Sequence, residues 1–270
     1  LIPVHVTNTL GTSVTQLKKE DFRLFEDEVE QTITHFASED AALSIGFLVD
    51  ASGSMRNKMR KSMAALTTFF KTANAGDEFF LIEFGDRPKL LSPFTPDLNE
   101  IRTRLSHVKP FGRTALLDAI RMGLAEMNAA RNPRKILLIL SDGGDNRSRY
   151  TEMEIKGQSS ESDAQIYSLG IFDPDDRPKR TPEEQNGPRL LTDLAEQTGG
   201  RHFPVKNLDD LPDICARLSA EFRSQYLLGY SPANLERNGK YRHVKALVIT
   251  PTDAPPLKVR HRMGYYAPVR

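Results

Sequence analysis

Hydrophobic positions along the chain follow two different periods. In Ile2-Pro-Val-His-Val-Thr7, Asp21-Phe-Arg-Leu-Phe25 and Gln31-Thr-Ile-Thr-His-Phe36 they alternate with polar ones, predicting short strands around a Gly turn at Asn8–Thr12 and an acidic turn at Glu26-Asp-Glu28. From Leu43 the pattern becomes apolar runs separated by stretches with three- and four-residue spacing, the mark of strands alternating with helices. The predicted order is strand one at 43–50, a helix at 57–73, strand two at 78–84 and a short strand around Pro88–Leu91. Helices at 97–106 and 115–130 come next, then strand four at Ile136–Leu140, a helix at 151–163 and a strand at Gln165–Ile171. A helix at 188–198, a strand at Arg201–Phe203 and a helix at 208–223 complete the set. The Gly85-Asp86 turn makes the strand near Pro88 an antiparallel edge. The segment from Asp173 to Pro188, rich in Pro, Asp, Arg and Glu, reads as a solvated loop.

After Ser224 the period of two returns, in Gln225–Tyr230, Val244–Thr250 and Leu257–Met263. Neither terminal strand set has the mass for its own core. The expectation is one β-layer built from residues 1–42 and 224–270, with an α/β domain at 43–223 inserted between them. The fold class is therefore α/β: a doubly wound, mostly parallel sheet with one antiparallel edge strand, plus that β-layer.

Composition narrows the function more than the fold. Among 270 residues, 37 basic side chains balance 36 acidic ones, which argues against nucleic acid or an anionic membrane as the main partner. No apolar run approaches the roughly 18 residues that span a bilayer. A chain starting at Leu1 reads as a fragment or mature form, so a removed leader or anchor is outside its reach. The one cysteine, Cys215, excludes an internal disulfide and a cysteine-rich zinc site, and its helical setting predicts a buried apolar role. The histidines are scattered without a metal-binding pair. Lys258, Arg260 and Arg262 alternate like the solvent face of a strand.

Chemistry concentrates where strand one ends, in Asp50-Ala-Ser52-Gly-Ser54. In an open α/β sheet, ligands bind beyond the carboxyl ends of the strands, where the strand order reverses. For the order 3-2-1-4-5-6 that crevice lies between strands one and four. Strand four ends in Ser141-Asp142-Gly-Gly-Asp145, and Thr114 precedes the helix leading into it, behind Gly112. Carboxylates and hydroxyls together suit a hard divalent cation, Mg²⁺ or Mn²⁺, with Ca²⁺ as a further candidate. The competing reading is a helix-capping turn, since Asp and Ser favour such positions. Asp145 reads as a solvated loop carboxylate rather than a ligand of a second ion, and Asp118 as a structural hydrogen-bonding group rather than a metal ligand.

These residues carry a resemblance. Asp-x-Ser-x-Ser, Gly-x-Thr-x-Leu-x-Asp-Ala-Ile around Thr114 and Leu-Ser-Asp-Gly-Gly-Asp-Asn around Asp142 resemble the von Willebrand factor type A domain over residues 43–223. The resemblance implies a Rossmann-like fold and a metal-ion-dependent adhesion site with Asp50, Ser52, Ser54, Thr114 and Asp142 as metal residues. It also implies no catalytic residues and a protein partner whose Glu or Asp completes the metal's coordination, with movement of the last helix, near 208–223, as a family option. The flanks Asp21–Asp27 and Tyr226–Pro232 resemble a bacterial type A-related family of exported proteins, which implies an extracytoplasmic location: secreted, periplasmic or surface-attached. Two other functions compete. One is a scaffold merely stabilised by metal. The other is a metal-assisted phosphoryl-transfer enzyme, disfavoured because Ser52 stands where the Asp-x-Asp pattern needs a carboxylate, and because no phosphate-cradling Gly-rich loop is present.

Overall fold

A computed structural model describes residues 1–38, 41–172, 182–250 and 255–269. The elements in chain order begin with β1 (Ile2–Thr7), β2 (Phe22–Glu26), β3 (Val29–Gln31) and β4 (Ile33–Ala37). The central unit runs β5 (Leu43–Asp50), α1 (Met59–Phe69), β6 (Glu78–Phe84), β7 (Pro88–Thr95), α2 (Leu98–Ser106), α3 (Leu116–Glu126) and β8 (Arg134–Ser141). It continues with α4 (Glu152–Glu161), β9 (Gln165–Ile171), α5 (Pro182–Thr198), β10 (His202–Val205) and α6 (Leu211–Arg223). The chain closes with β11 (Tyr226–Tyr230), β12 (Tyr241–Val248), β13 (Lys258–Arg260) and β14 (Gly264–Tyr266).

The central sheet has six strands in the order β10-β9-β8-β5-β6-β7. All neighbours are parallel except β6 and β7, which a two-sided turn makes antiparallel. This is the expected order, with β5 beside β8 at the reversal. The edge strand is longer than expected, reaching Thr95. Strand periodicity divides the core between the two faces. Leu43, Ile45, Phe47 and Val49 of β5 join Ile136, Leu138 and Leu140 of β8 under α1, α2 and α6. Leu48, Leu137 and Ile139 point the other way, into a core closed by α3, α4 and α5. Continuous apolar runs follow directly, because both faces of a parallel sheet are covered. Cys215 is buried among the first set, where burial pushes its thiol up to about 12, so it packs and does not react.

Four expectations need correction. The terminal strands form two antiparallel sheets, β13-β1-β11-β4 and β14-β12-β2-β3, rather than one layer. Their facing sides share a core of Ile2, Val4, Val6, Phe22, Leu24, Tyr226, Leu228 and Val244, with the rings of Phe22 and Tyr226 5.0 Å apart. Each sheet mixes strands from both ends of the chain, so neither end could bury these side chains alone. The strand expected at 257–263 is shorter, β13 alone, which pairs with β1; a further strand beyond it, β14, pairs with β12 in the other sheet.

Arg260 and Arg262 also turn inward. Arg260 donates to Glu221 of α6 at 2.8 Å, and Arg262 to the Ser160 carbonyl of α4 at 2.6 Å. They anchor the small sheets to the α/β unit. Finally, the loop expected up to Pro188 is helical from Pro182, and residues 173–181 lie outside the described residues. Pro188 sits inside α5, where it removes one backbone donor without ending the helix.

Candidate metal centre

Three loops meet at the carboxyl end of β5 and β8. Their backbones are sewn together, which fixes the side chains they carry. The Ala51 N–H donates to the Phe84 carbonyl at 2.7 Å, Phe111 N–H to Ala51 at 2.7 Å, and Gly53 N–H to Gly112 at 3.0 Å. The Asn146 and Arg147 N–H groups both donate to the Thr114 carbonyl at 3.1 Å, while the Asn146 side chain accepts from Thr114 N–H at 3.0 Å. Gly112 has φ +82° with the Asp86 carboxylate where a side chain would start, so only glycine fits this crossing. Gly143, at φ +80°, lies against the backbone of Gly187 in α5, 2.7 Å from where its Cβ would be.

Asp50 is the last residue of β5 and is fully buried. One carboxylate oxygen accepts the Ser52 N–H at 2.8 Å; the other accepts the Ser141 hydroxyl at 2.6 Å. Burial, and then the charge of Asp142, push its carboxyl up to about 7, against these hydrogen bonds. Ser52 is buried and its hydroxyl lies 2.9 Å from that of Ser54, which is exposed at the mouth. Thr114 and Asp142 are buried as well. Asp142 Oδ1 accepts the Gly144 N–H at 3.4 Å. All five expected residues therefore lie on one crest, Asp50 at the end of β5 and the other four on the loops around it, from segments about 90 residues apart.

Sequence reasoning missed two residues of this crest. Ser141 was visible only as the residue between a buried strand and Asp142; its role follows from the neighbouring positions of β5 and β8. Lys58 stands in the sequence among Arg56, Arg60 and Lys61 with nothing to single it out, yet its side chain is 6% exposed and its Nζ lies 3.7 Å from Asp142 Oδ2. Asp145, expected as a solvated loop carboxylate, is instead structural: it accepts from the Leu117 N–H at 2.8 Å and the Ser148 hydroxyl at 2.6 Å. Asp118 likewise holds Arg149 and the Tyr150 N–H. Among the described residues no three His, Cys, Asp or Glu side chains converge for a metal. The crest instead offers two carboxylates and three hydroxyls, the all-oxygen donor chemistry of hard cations.

Residues 45–144 match the family model described as von Willebrand factor type A domain, a span containing all five crest residues. Residues 45–144 thus belong to a von Willebrand factor type A domain. Over 163 residues it is 29% identical to inter-alpha-trypsin inhibitor heavy chain H2 of Sus scrofa, covering 53% of this chain and 17% of that protein. The chain thus spans a small part of that relative's length. Among solved structures, von Willebrand factor type A from Catenulispora acidiphila superposes with a TM-score of 0.58 at 15% identity, over 92% of this chain and 62% of that one. An aerotolerance-related membrane protein from Bacteroides fragilis gives 0.56 at 17% identity, over 67% of this chain and 98% of that one. These two share the fold of the type A domain. Domains of this family are commonly protein-interaction and adhesion modules. Among the described residues no helix is long and apolar enough to cross a membrane.

Proposed function

We propose that the type A domain is a non-enzymatic protein-binding module that uses a divalent cation to capture an acidic side chain of a partner. Mg²⁺ or Mn²⁺ would be held by Asp50, Ser52, Ser54, Thr114 and Asp142. The observation that carries this reading is the setting of Asp50. Its buried carboxylate faces a second one and is pushed toward neutrality, although the Ser141 and Ser52 hydroxyls and the Ser52 N–H all serve it. A divalent cation relieves that repulsion. Neutral hydroxyl donors leave such an ion short of negative charge, and Mg²⁺ keeps exchangeable waters that a Glu or Asp can replace.

The accessory sheets support a unit of residues 1–42 and 224–270, fastened to the type A domain through Arg260 and Arg262. The flank motifs, and the membrane-protein setting of one relative of the same fold, support an extracytoplasmic site of action.

The test is retention of the protein on an immobilised library of Glu- and Asp-containing peptides, with Gln and Asn counterparts as controls. The expected result is retention on acidic peptides in Mg²⁺, abolished by chelator and by Asp142→Ala. Retention indifferent to chelator would favour a scaffold. Magnesium-dependent turnover of phosphomonoesters, lost in Asp50→Ala, would favour an enzyme.

A further inference from the structure

Lys58 separates from the basic residues around it. Arg56, Arg60 and Lys61 are exposed, and Lys61 pairs with Asp209 at the surface at 2.5 Å. Lys58 instead follows the single turn Gly53–Met55, donating its N–H to the Met55 carbonyl at 2.9 Å. Its carbonyl accepts the Ser62 N–H at 3.0 Å and the Ser62 hydroxyl at 2.9 Å, fixing the backbone at the entrance of α1. The side chain is thereby aimed at the crest, where its ammonium faces Asp142 Oδ2 at 3.7 Å, with both partners nearly shielded from water. A buried ammonium is rare unless a fixed negative charge holds it.

We propose that Lys58 is the resident counter-ion of the metal centre, and that its charge makes metal retention depend on an incoming carboxylate. This rests on the cation reading of the crest. Asp50 and Asp142 bring two negative charges, and Lys58 cancels one. A divalent ion then leaves the centre with one surplus positive charge, which a partner carboxylate neutralises. Without Lys58, the two carboxylates balance the ion by themselves, and the call for an outside carboxylate falls. Charges in a shielded site interact far more strongly than in water, so a cation beside Asp142 is repelled by an ammonium already there. Lys58 thus weakens the metal alone and strengthens the metal with its ligand, a coupling that is reciprocal by linkage.

The experiment titrates MgCl₂ calorimetrically into wild type, Lys58→Met, Lys58→Gln, Lys58→Arg and Asp50→Ala, each with and without acetate as the carboxylate probe. Lys58→Met and Lys58→Gln are expected to bind Mg²⁺ at least tenfold more tightly than wild type. Lys58→Arg is expected to stay within threefold. Acetate should tighten Mg²⁺ binding to wild type and to Lys58→Arg, and leave the neutral variants unmoved. Thermal melting keeps the test open if a neutral variant is poorly folded in chelator, because Mg²⁺ should then raise its Tm more than that of wild type. Equal Mg²⁺ affinity in wild type and the neutral variants, with binding lost in Asp50→Ala, overturns the role of Lys58 and leaves the metal centre standing. Absence of saturable binding in every variant overturns both.

Discussion

The two ends of the central sheet treat buried carboxylates in opposite ways. At the amino end, Asp77 accepts the Leu43 N–H and the Asn74 N–H, each at 2.8 Å, and pairs with Arg223. Glu78 takes the Ser44 hydroxyl at 2.6 Å and both the N–H and guanidinium of Arg131; these bonds hold its carboxyl below the usual range despite the opposing effect of burial. At the carboxyl end Asp50 meets two serine hydroxyls, one N–H and another carboxylate, with burial the largest influence, and moves up instead. The first arrangement is complete within the chain. The second is short of positive charge, with Lys58 supplying part of it, and that deficit marks where an external cation belongs.

The contrast predicts substitution effects of different size and sign. Asp77→Ala removes the carboxylate that pairs with Arg223 and accepts two backbone N–H groups, so urea denaturation should show a loss of about 3–5 kcal/mol with Mg²⁺ affinity unchanged. Gly143→Ala forces a side chain into a left-handed position against Gly187. Its expected cost is about 1–3 kcal/mol, and Mg²⁺ affinity should fall as well, because the strained loop carries Asp142. Asp50→Asn should behave oppositely to Asp77→Ala. In chelator its stability should match wild type or exceed it by about 1 kcal/mol, while Mg²⁺ binding disappears. A large loss of stability in chelator would erase the proposed difference between the two ends.

A pH-dependent effect concerns a neutral, half-buried group. Burial lowers His202 from 6.5 to about 4, beside the Ser168 hydroxyl at 2.8 Å from Nδ1. The unfolded chain therefore takes up this proton at a higher pH than the folded one. The stability due to neutral His202 is complete above about 6.5 and is lost as pH falls toward about 4. Melting between pH 7.5 and 4.5 should show a shallower decline in His202→Gln than in wild type.

Much of this was readable in the sequence, for definite reasons. Both-face burial of the parallel sheet makes continuous apolar runs, so β5, β6 and β9 end where their runs end. The alternation of strand and helix carried the strand order, and hence the meeting of Asp50, Thr114 and Asp142. Period-two patterning was less informative at the termini, because it tells which side chains share a face and not which strand they pair with. Two sheets therefore read as one, and the residues at 261–263 that cross from one sheet to the other read as a continuation of the strand from 257. Arg262 looked solvated because the α4 carbonyl it meets is 102 residues away. Pro182 at the head of an acidic first turn was a helix-start signal, but Pro188 was taken as the boundary. Lys58 was hidden for a similar reason. Its neighbours are surface cations, and only the turn Gly53–Met55 directs it inward.

The central claim is that the crest of β5 and β8 is a divalent-cation site built on Asp50. Calorimetric titration of Mn²⁺ into wild type and Asp50→Ala, both checked for the same thermal transition in chelator, addresses it most directly. The account predicts saturable binding of one ion per chain in wild type and none in the variant. Equal Mn²⁺ affinity in the two proteins would contradict it.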